Sequence, residues 1–246
     1  MYASAPNNMN EKKEKKLIII SGGNGYLGSA VAKKFTESEW TVATLSRNKD
    51  TANPLSYACD ITDEASVASA VKSIVDTHGL IHACVHAASE AVDGKTKLLD
   101  VPPAIFDTQI SIAVKGAFIF AKTAIPYMTQ GSAFIGITSA LIEPGVTLSP
   151  MGAYISAKYA LRGFLRSLAP EVNSQGIRVY AVAPGYLPGG LNRGIPEALI
   201  TFLGKKSGAG DAKVEDVAEM VRKICIDESS FPTGTSISIP GGAQSL

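Results

Sequence analysis

The hydrophobic positions of this chain fall into short apolar runs that are separated by longer amphipathic stretches. Within each run the residues are apolar at successive positions rather than at every second one, which is typical of strands buried on both faces of a parallel sheet. The pattern predicts seven strands, at residues 17–20, 41–45, 55–59, 80–88, 132–138, 177–183 and 235–239.

The amphipathic stretches predict five helices, at residues 27–38, 63–77, 110–128, 153–174 and 214–226. Asp63 fits the N-cap of the second helix, because the apolar residues after it recur on one helical face. Strands that alternate with helices indicate an α/β fold, a doubly wound parallel seven-stranded sheet with helices on both faces. The chain has no internal repeat and no linker rich in Pro, Gly or Ser, so we expect one domain over residues 17–246.

Composition narrows the classes of partner. The 23 Lys and Arg residues nearly balance the 22 Asp and Glu residues, and the formal net charge is +1. No overall field therefore favours nucleic acid or an acidic membrane surface, and we expect small molecules or like subunits as partners. A hydrophobic content of 46% is enough for a sizeable core.

Several segments bear on where the protein works. Residues 1–16 mix lysine and glutamate without the apolar stretch of a signal peptide, and we expect a disordered tail there. No run of about 18 apolar residues occurs, so no membrane span is expected. Cys59, Cys84 and Cys225 lack metal-binding spacing, and we interpret them as buried, reduced thiols of a cytoplasmic protein.

A glycine-rich stretch, SGGNGYLGS at residues 21–29, joins the first predicted strand to the first predicted helix. Glycines permit positive φ angles and let backbone N–H groups and a helix N-terminus approach a pyrophosphate. In an α/β sheet this turn is the usual phosphate site of a Rossmann-type fold. A glycine-rich turn that only packs helix on strand is the alternative. The candidate cofactor-binding residues here are Ser21, Gly22, Gly23, Asn24, Gly25, Tyr26, Leu27 and Gly28.

The end of the second strand bears on which dinucleotide is bound. An acidic residue at this point would accept hydrogen bonds from the adenosine ribose, but the chain has Ser46 and Arg47. Ser46 removes a carboxylate that would repel a phosphate, and the Arg47 guanidinium can bind one. The pair favours NADP(H) over NAD(H), although Arg47 would also fit an ordinary solvated arginine.

Tyr154 and Lys158 lie four residues apart near the start of a predicted helix and therefore share a face. An ammonium beside a phenol favours phenolate, so we expect a lowered tyrosine pKa and a group suited to proton transfer at a carbonyl. Ser139 follows a predicted strand and could hold a substrate oxygen at the same edge of the sheet. The three residues are the candidate catalytic residues, although a Tyr–Lys pair alone is common by chance.

The ordered motifs resemble those of the short-chain dehydrogenase/reductase family, from about Leu17 to Gly242. The resemblance rests on the glycine loop, CDITD at 59–63, HAAS at 86–89, the Ser139–Tyr154–Lys158 series, APGY at 183–186 and TGTSISIPGG near the end. It implies that Ser139 orients a carbonyl, Tyr154 donates a proton and Lys158 also holds the nicotinamide ribose. It further implies cofactor contacts for Asp60, Ile61, Ala87, Pro184, Gly185 and Leu187.

Four positions depart from the family pattern. Tyr26 stands where compact members usually have glycine, and Gly189 where a hydroxyl residue often contacts the nicotinamide amide. Ala113 replaces an asparagine that helps connect the lysine to water. His86 replaces a polar amide, and a histidine without a ligand role is the simpler interpretation. These departures are compatible with slow or unusual catalysis.

Two functions follow from these observations. The first is an NADP(H)-dependent oxidoreductase that interconverts a carbonyl and an alcohol, with a 3-oxoacyl thioester as one possible substrate. The alternative is a weakly active or inactive NADP(H)-binding sensor or scaffold. Arg193, Lys205 and Lys206 could meet an acidic carrier group or form a solvated rim. The family resemblance and Phe118, Phe120, Phe164 and Leu165 on two predicted helices point to a homo-oligomer, a dimer or tetramer.

Overall fold

The protein is built around one parallel sheet. The structure, a computed structural model, describes residues 15–92, 94–143, 150–197, 201, 212–227 and 231–239. In this part of the chain the sheet has seven strands in the order β3-β2-β1-β4-β5-β6-β7. The strands are β1 (Leu17–Ser21), β2 (Thr41–Ser46), β3 (Ser56–Ala58), β4 (Ile81–His86), β5 (Met128–Ile137), β6 (Arg178–Pro184) and β7 (Ser236–Ile239).

Helices connect most of these strands. They are α1 (Tyr26–Glu37), α2 (Glu64–His78), α3 (Pro103–Ile110), α4 (Gly116–Ala124), α5 (Gly152–Val172) and α6 (Val214–Ile226). A π-helical turn, Ser111–Lys115, joins α3 to α4 and is called the π segment below. The Asp63 side chain accepts hydrogen bonds from Ala65 N and Ser66 N, which confirms it as the N-cap of α2.

One predicted helix, at 110–128, was wrong at both ends. The helical stretch begins earlier, at Pro103, because a proline at the first helical position needs no N–H partner and has its φ preset. It ends earlier too, because Ile125–Tyr127 forms a 3₁₀ turn and Met128 pairs with Ile81 as the first residue of β5. The predicted strand at 132–138 begins four residues too late, since β5 starts at Met128. The remaining predicted elements agree with the observed ones within about two residues.

Two hydrophobic clusters cover the two faces of the sheet. On one face, Val31 and Phe35 of α1 pack with Val217 and Val221 of α6. On the other face, residues of α2, α4 and α5 pack together, among them Val71, Phe120 and Leu165. Helices therefore cover both faces, which confirms the doubly wound α/β fold. The three cysteines are free and buried, as expected.

The strand order places the ligand-binding crevice. The chain moves outward from β1 through β2 to β3 and then returns to β4 on the other side of β1. Helices after β1 and β4 therefore diverge to opposite faces, and a crevice opens at the carboxyl ends of these two strands. Ser21 ends β1 and His86 ends β4, so both lie at this crevice.

The stretch Pro103–Tyr127 has a mean hydropathy of 1.4 over an 18-residue window, and by length and composition alone it could cross a membrane. Core helices of globular domains meet the same criterion. In this fold the α4 part packs on the sheet, with Phe120 fully buried. Its other side carries Phe118, which is half exposed and meets the Phe164 ring of α5 edge to face at 6.4 Å.

Candidate active site

The glycine loop packs tightly against β2 and the residues that follow β4. Gly22 has φ +71°, and its N–H donates to Leu45 O at 2.8 Å. A Cβ on Gly22 would lie 2.7 Å from Ala88 Cα, and one on Gly23 would lie 2.5 Å from Thr44 Cβ. Side chains are therefore excluded at both positions, by the residues that follow β4 and by Thr44 of β2.

Helix α1 starts without the usual cap. Gly25 is its N-cap residue, with no side-chain hydrogen bond to the first turn among the described residues and no acidic residue in that turn. The first N–H groups and the positive end of the helix dipole are thus left for an anion. The cradle of glycines and this bare helix start fit the pyrophosphate of a dinucleotide.

Polar groups surround the loop on the β2 side. The Ser46 hydroxyl accepts from Asn24 N at 3.1 Å, and the Asn24 amide donates to Asn48 O at 2.7 Å. The Arg47 guanidinium is 72% exposed, and its Nη2 lies 3.8 Å from Oε2 of Glu90. Sequence reasoning missed Glu90, because the ion pair joins residues that are 43 positions apart.

Three further candidate cofactor residues lie around this crevice. Asp60 accepts from both the N–H and the hydroxyl of Thr62, and these hydrogen bonds hold its pKa below the ordinary value. Ile61 is buried beneath Gly116, where an added Cβ would lie 2.9 Å from Ile61 Cγ2. Ala87 follows β4 and donates its N–H to Ser21 O at 3.0 Å. The Ser21 hydroxyl itself is turned to Nδ1 of His86, at 2.8 Å.

The three candidate catalytic residues meet at the carboxyl edge of β5. The Ser139 hydroxyl lies close enough to the Tyr154 phenol to lower its pKa. Lys158 is 3% exposed, its Nζ donates to Ile137 O at 2.9 Å, and the same atom lies 5.5 Å from the centre of the Tyr154 ring. The four-residue spacing on α5 and the end of β5 thus bring together a hydroxyl, a phenol and an ammonium.

The expected lowering of the Tyr154 pKa was wrong. The pKa is raised, because burial penalises the phenolate more than the nearby Ser139 hydroxyl stabilises it. Burial also lowers the pKa of Lys158 to about 8. The phenol therefore stays protonated at neutral pH, and the pKa of the buried Lys158 ammonium lies close to the physiological pH range.

An apolar wall borders Tyr154, and nothing in the local sequence pattern pointed to it. Val92, Met151 and Ile195 form a small buried cluster, against which Tyr154 packs together with Leu141, Ile155 and Tyr186. Met151 has φ +68°, an uncommon angle for a residue other than glycine, and precedes the first turn of α5. Left-handed backbone of this kind is concentrated at functional sites.

The segment after β6 closes over the glycine loop. Pro184 ends β6, Gly185 N donates to Ile239 O at 2.8 Å, and Leu187 is buried in the core. Gly190, with φ +55°, approaches so closely that an added Cβ would lie 2.7 Å from Cβ of Tyr26. Tyr26 thereby contacts the post-β6 segment. Lys205, Lys206 and the Arg193 side chain lie outside the described residues.

Two of the departures from the family pattern are adjacent in space. Ala113 is buried in the π segment, and its backbone lies beside the buried ring of His86. Across the described residues, no group of three or more His, Cys, Asp or Glu side chains is arranged to hold a metal ion.

Comparisons with known proteins agree with this geometry. Over residues 25–244 the chain matches a family model described as enoyl-(acyl carrier protein) reductase. It is 29% identical to secoisolariciresinol dehydrogenase of Forsythia intermedia, over 93% of this chain and 89% of that protein. It is 27% identical to a 3-oxoacyl-(acyl-carrier-protein) reductase of Thermotoga maritima, over 93% of this chain and 98% of that protein.

Solved structures share the fold. A 3-ketoacyl-(acyl-carrier-protein) reductase from Brucella melitensis, complexed with NADH, superimposes with a TM-score of 0.81 at 22% identity, over 95% of this chain and 99% of that one. A blue fluorescent protein from a metagenomic library, in complex with NADPH, gives 0.78 at 22% identity, over 92% and 97% of the two chains. With a family model that matches most of its length and a doubly wound sheet of this kind, the chain belongs to the short-chain dehydrogenase/reductase family, a family of oxidoreductases.

Proposed function

We propose that this protein is an NADP(H)-dependent oxidoreductase that interconverts a carbonyl and an alcohol, with Ser139, Tyr154 and Lys158 as its catalytic residues. The observation that carries the proposal is the meeting of these side chains at the same sheet edge as the bare start of α1. The relatives support it, since their names are those of dehydrogenases and reductases.

The side chains divide the work as follows. When bound, the nicotinamide supplies or accepts the hydride at the carbonyl carbon. In reduction the Tyr154 O–H bond breaks as its proton moves to the carbonyl oxygen, while the Ser139 hydroxyl orients that oxygen. Lys158 places a positive charge beside the resulting phenolate. In the other direction Tyr154 must first lose its proton, so its raised pKa favours reduction at neutral pH and alcohol oxidation at alkaline pH.

The preference for the phosphorylated cofactor rests on Ser46 and Arg47. Ser46 carries no charge, and the exposed Arg47 guanidinium is available to pair with a phosphate on the adenosine ribose. Gly22, Gly23 and Gly28 would give the pyrophosphate its close approach to the backbone. Asp60 and Ile61 would line the adenine pocket, and Ala87 would lie along the cofactor backbone. Pro184 and Gly185 would border the nicotinamide, and Leu187 is a further cofactor-binding residue.

The wall beside Tyr154 narrows the substrate class. Val92, Met151 and Ile195 are apolar and buried, so the part of a substrate next to the carbonyl should be apolar as well. A 3-oxoacyl thioester meets this requirement, as do cyclic and other apolar ketones. The 3-oxoacyl-(acyl-carrier-protein) reductase among the relatives makes the thioester the first substrate to try.

A second candidate function is a sensor or scaffold that binds NADP(H) and turns over little. Ala113 and Gly189 favour it, because each lacks the polar side chain that the family pattern has at its position. A sensor would bind NADPH and be stabilised by it, without consuming it in the presence of any carbonyl.

The deciding experiment compares Tyr154→Phe with Tyr159→Phe. Tyr159 is a partly exposed tyrosine on the same helix, with the Arg162 guanidinium over its ring, and it takes no part in the site. NADPH oxidation should be followed by absorbance with a panel of ketones, aldehydes and 3-oxoacyl thioesters, and NADPH binding by thermal shift.

We expect Tyr154→Phe to lose roughly a thousandfold in kcat and to keep NADPH binding, because only the proton donor is removed. Tyr159→Phe should resemble the wild type. Equal rates for wild type and Tyr154→Phe would refute the mechanism. Tight NADPH binding without turnover in all three proteins would favour the sensor.

We also propose that residues 17–246 act as one dinucleotide-binding and catalytic domain, in the cytoplasm and as a dimer or tetramer. The half-exposed Phe118 and its contact with Phe164 give α4 and α5 an apolar outer face, whereas Phe120 and Leu165 belong to the intrachain core. Light scattering on the wild type and on Phe118→Ser would test the assembly. Nucleic acid and membrane are not among the proposed partners.

A further inference from the structure

His86 is a buried imidazole at the crevice that the mechanism above does not use. Its side chain is 1% exposed at the end of β4, where the residue pairs with Ser21 on one side and Gly136 on the other. Nδ1 lies 2.8 Å from the Ser21 hydroxyl. Within the described part of the chain, nothing hydrogen-bonds Nε2. Buried ring nitrogens are usually hydrogen-bonded, so we expect Nε2 to have a hydrogen-bond partner.

The π segment supplies candidate partners. The carbonyl groups of Ile112 and Ala113 lie close enough to the ring to favour its protonated form, although neither meets the geometry of a hydrogen bond to Nε2. A Cβ on Gly116, the next residue after the segment, would lie 3.5 Å from Cε1 of His86. The ring therefore packs directly against the π segment. Segments of this kind occur frequently at functional sites.

These surroundings indicate one tautomer. Carbonyl oxygens accept hydrogen bonds, so the nitrogen that faces Ile112 and Ala113 should carry the proton. Nδ1 then accepts the hydroxyl proton of Ser21. The tautomer follows from the hydrogen-bond partners rather than from observed hydrogen atoms.

Burial and the nearby positive charge of Lys158 keep this ring neutral. Burial and the positive charge of Lys158 together lower the pKa of His86 to about 3. The Lys158 ammonium donates to Ile137 O, and Ile137 follows the residue that pairs with His86 in the sheet. A neutral imidazole leaves the charge of Lys158 intact, whereas an imidazolium would repel it.

We propose that His86 is a positioning residue of the active site: Ser21 holds its Nδ1, and its Nε2–H holds the carbonyl groups of the π segment beside Lys158 through one buried water. The inference rests on the proposed function. It gives Ala113 a physical context, because the imidazole at position 86 would serve the π segment from the strand side where the family pattern has a polar side chain at position 113.

The first test does not need turnover. In ¹⁵N-labelled protein the His86 ring, assigned by its absence in His86→Gln, should be the neutral Nε2–H tautomer from pH 8 down to pH 5. A ring that titrates near the ordinary value of about 6.5, or one that carries its proton on Nδ1, would overturn the proposal. His78 and His82 provide internal references in the same spectra.

The second test compares His86→Gln with His86→Met. The two side chains have similar length and volume, but only glutamine has an N–H donor near the position of Nε2. We expect His86→Gln to stay within about threefold of the wild-type kcat and His86→Met to lose roughly tenfold, with KM for NADPH unchanged in both. Equal kcat values for the two variants would contradict the positioning role.

The same substitutions at His82 are the matched control. His82 lies on the same strand and accepts from Leu17 N at 3.2 Å, away from the site. Its variants should change stability without separating kcat from KM. A kcat loss of the same size at His82 would mean that the His86 effect is structural only.

The third test places an amide at position 113, where the family pattern has an asparagine. Ala113→Asn should recover most of the kcat of His86→Met, because the amide would occupy the polar position from the helix side. In the wild type the same substitution should lower kcat or leave it unchanged, since the imidazole already fills the space. If Ala113→Asn raised kcat in both the His86→Met variant and the wild type, or in neither, the idea that a polar group at one position can substitute for one at the other would be refuted.

Failure of the inference and failure of the proposed function give different results. If Tyr154→Phe abolishes turnover but the His86 ring titrates normally, the proposed function stands and the positioning role falls. If the wild type turns over no carbonyl, the proposed function falls, and the tautomer measurement still decides whether His86 holds the π segment.

Discussion

Helices α1 and α2 both start at the carboxyl edge of the sheet, yet they start in different ways. Helix α2 is capped by Asp63, which accepts from two backbone N–H groups, and Glu64 adds a negative charge to its first turn. Helix α1 has Gly25 at its start, without a side-chain cap among the described residues. A cap satisfies the first N–H groups of a helix, so α2 uses its start for stability and α1 leaves its start open to a ligand.

A third start, that of α5, differs from both. Met151 precedes it in a left-handed conformation, and its second turn carries the buried ammonium of Lys158. Here the functional group is a desolvated charge rather than an open backbone. The site therefore contains two features that lower the stability of the folded protein, an uncapped helix start and a buried cation.

The largest expected effect comes from giving α1 the charge that α2 has. Gly25→Asp should weaken NADPH binding by at least roughly a hundredfold, because a carboxylate would lie next to the phosphates. Gly25→Asn adds a side chain of the same shape without the charge and should lose far less. Isothermal titration calorimetry checks both. Equal affinity of the two variants would mean that no anion binds at this helix start.

The next effect concerns the buried charge on α5. Lys158→Met should raise the free energy of unfolding at pH 7 by up to about 3 kcal/mol, less the loss of the donor to Ile137 O, while abolishing turnover. Because the pKa is lower in the folded protein, the unfolded chain binds more protons between about pH 8 and 10.5. Wild-type stability should therefore rise with pH across this window.

Chemical denaturation at pH 7 and pH 10 measures this difference. The methionine variant should lack the part of the pH dependence that comes from residue 158. A variant with the same pH dependence as the wild type would show that the ammonium is not desolvated in the folded state.

Removing the cap of α2 tests whether the start of this helix serves stability rather than ligand binding. Asp63→Ala should lower the free energy of unfolding by about 1 kcal/mol, because two backbone N–H groups lose their acceptor. NADPH affinity should not change. Asp63→Asn keeps a capping oxygen and should be nearly neutral. A clear loss of NADPH affinity in the alanine variant would show that α2 also serves the ligand site.

The smallest expected effect concerns Glu90, which pairs with Arg47 at the mouth of the crevice. Glu90→Gln should raise NADPH affinity relative to NADH affinity by roughly threefold, since an exposed ion pair of this kind is weak and Arg47 would be released to a phosphate. Glu64→Gln, which removes an exposed ion pair with Lys122, is the control and should leave the ratio unchanged. A ratio that falls would argue against competition for Arg47.

Much of the fold was predictable because its signals are local. The seven apolar runs, the glycines of the loop and the cap at Asp63 each lie within a few residues of the structure they specify. The missed boundaries had nonlocal causes in part: Met128 joins β5 because Ile81 pairs with it. Tyr154 and Lys158 were identifiable because helix periodicity alone puts them on one face.

The remaining parts of the site were decided by the tertiary structure. Apolar periodicity, glycine content and residue spacing were enough to specify the doubly wound sheet, the open start of α1 and the Tyr154–Lys158 pair. Only the fold brought Ser21 to His86, Glu90 to Arg47 and the apolar wall to Tyr154. Only the fold decided that burial raises the pKa of Tyr154, because desolvation depends on every element packed around a group and not on its neighbours in the chain.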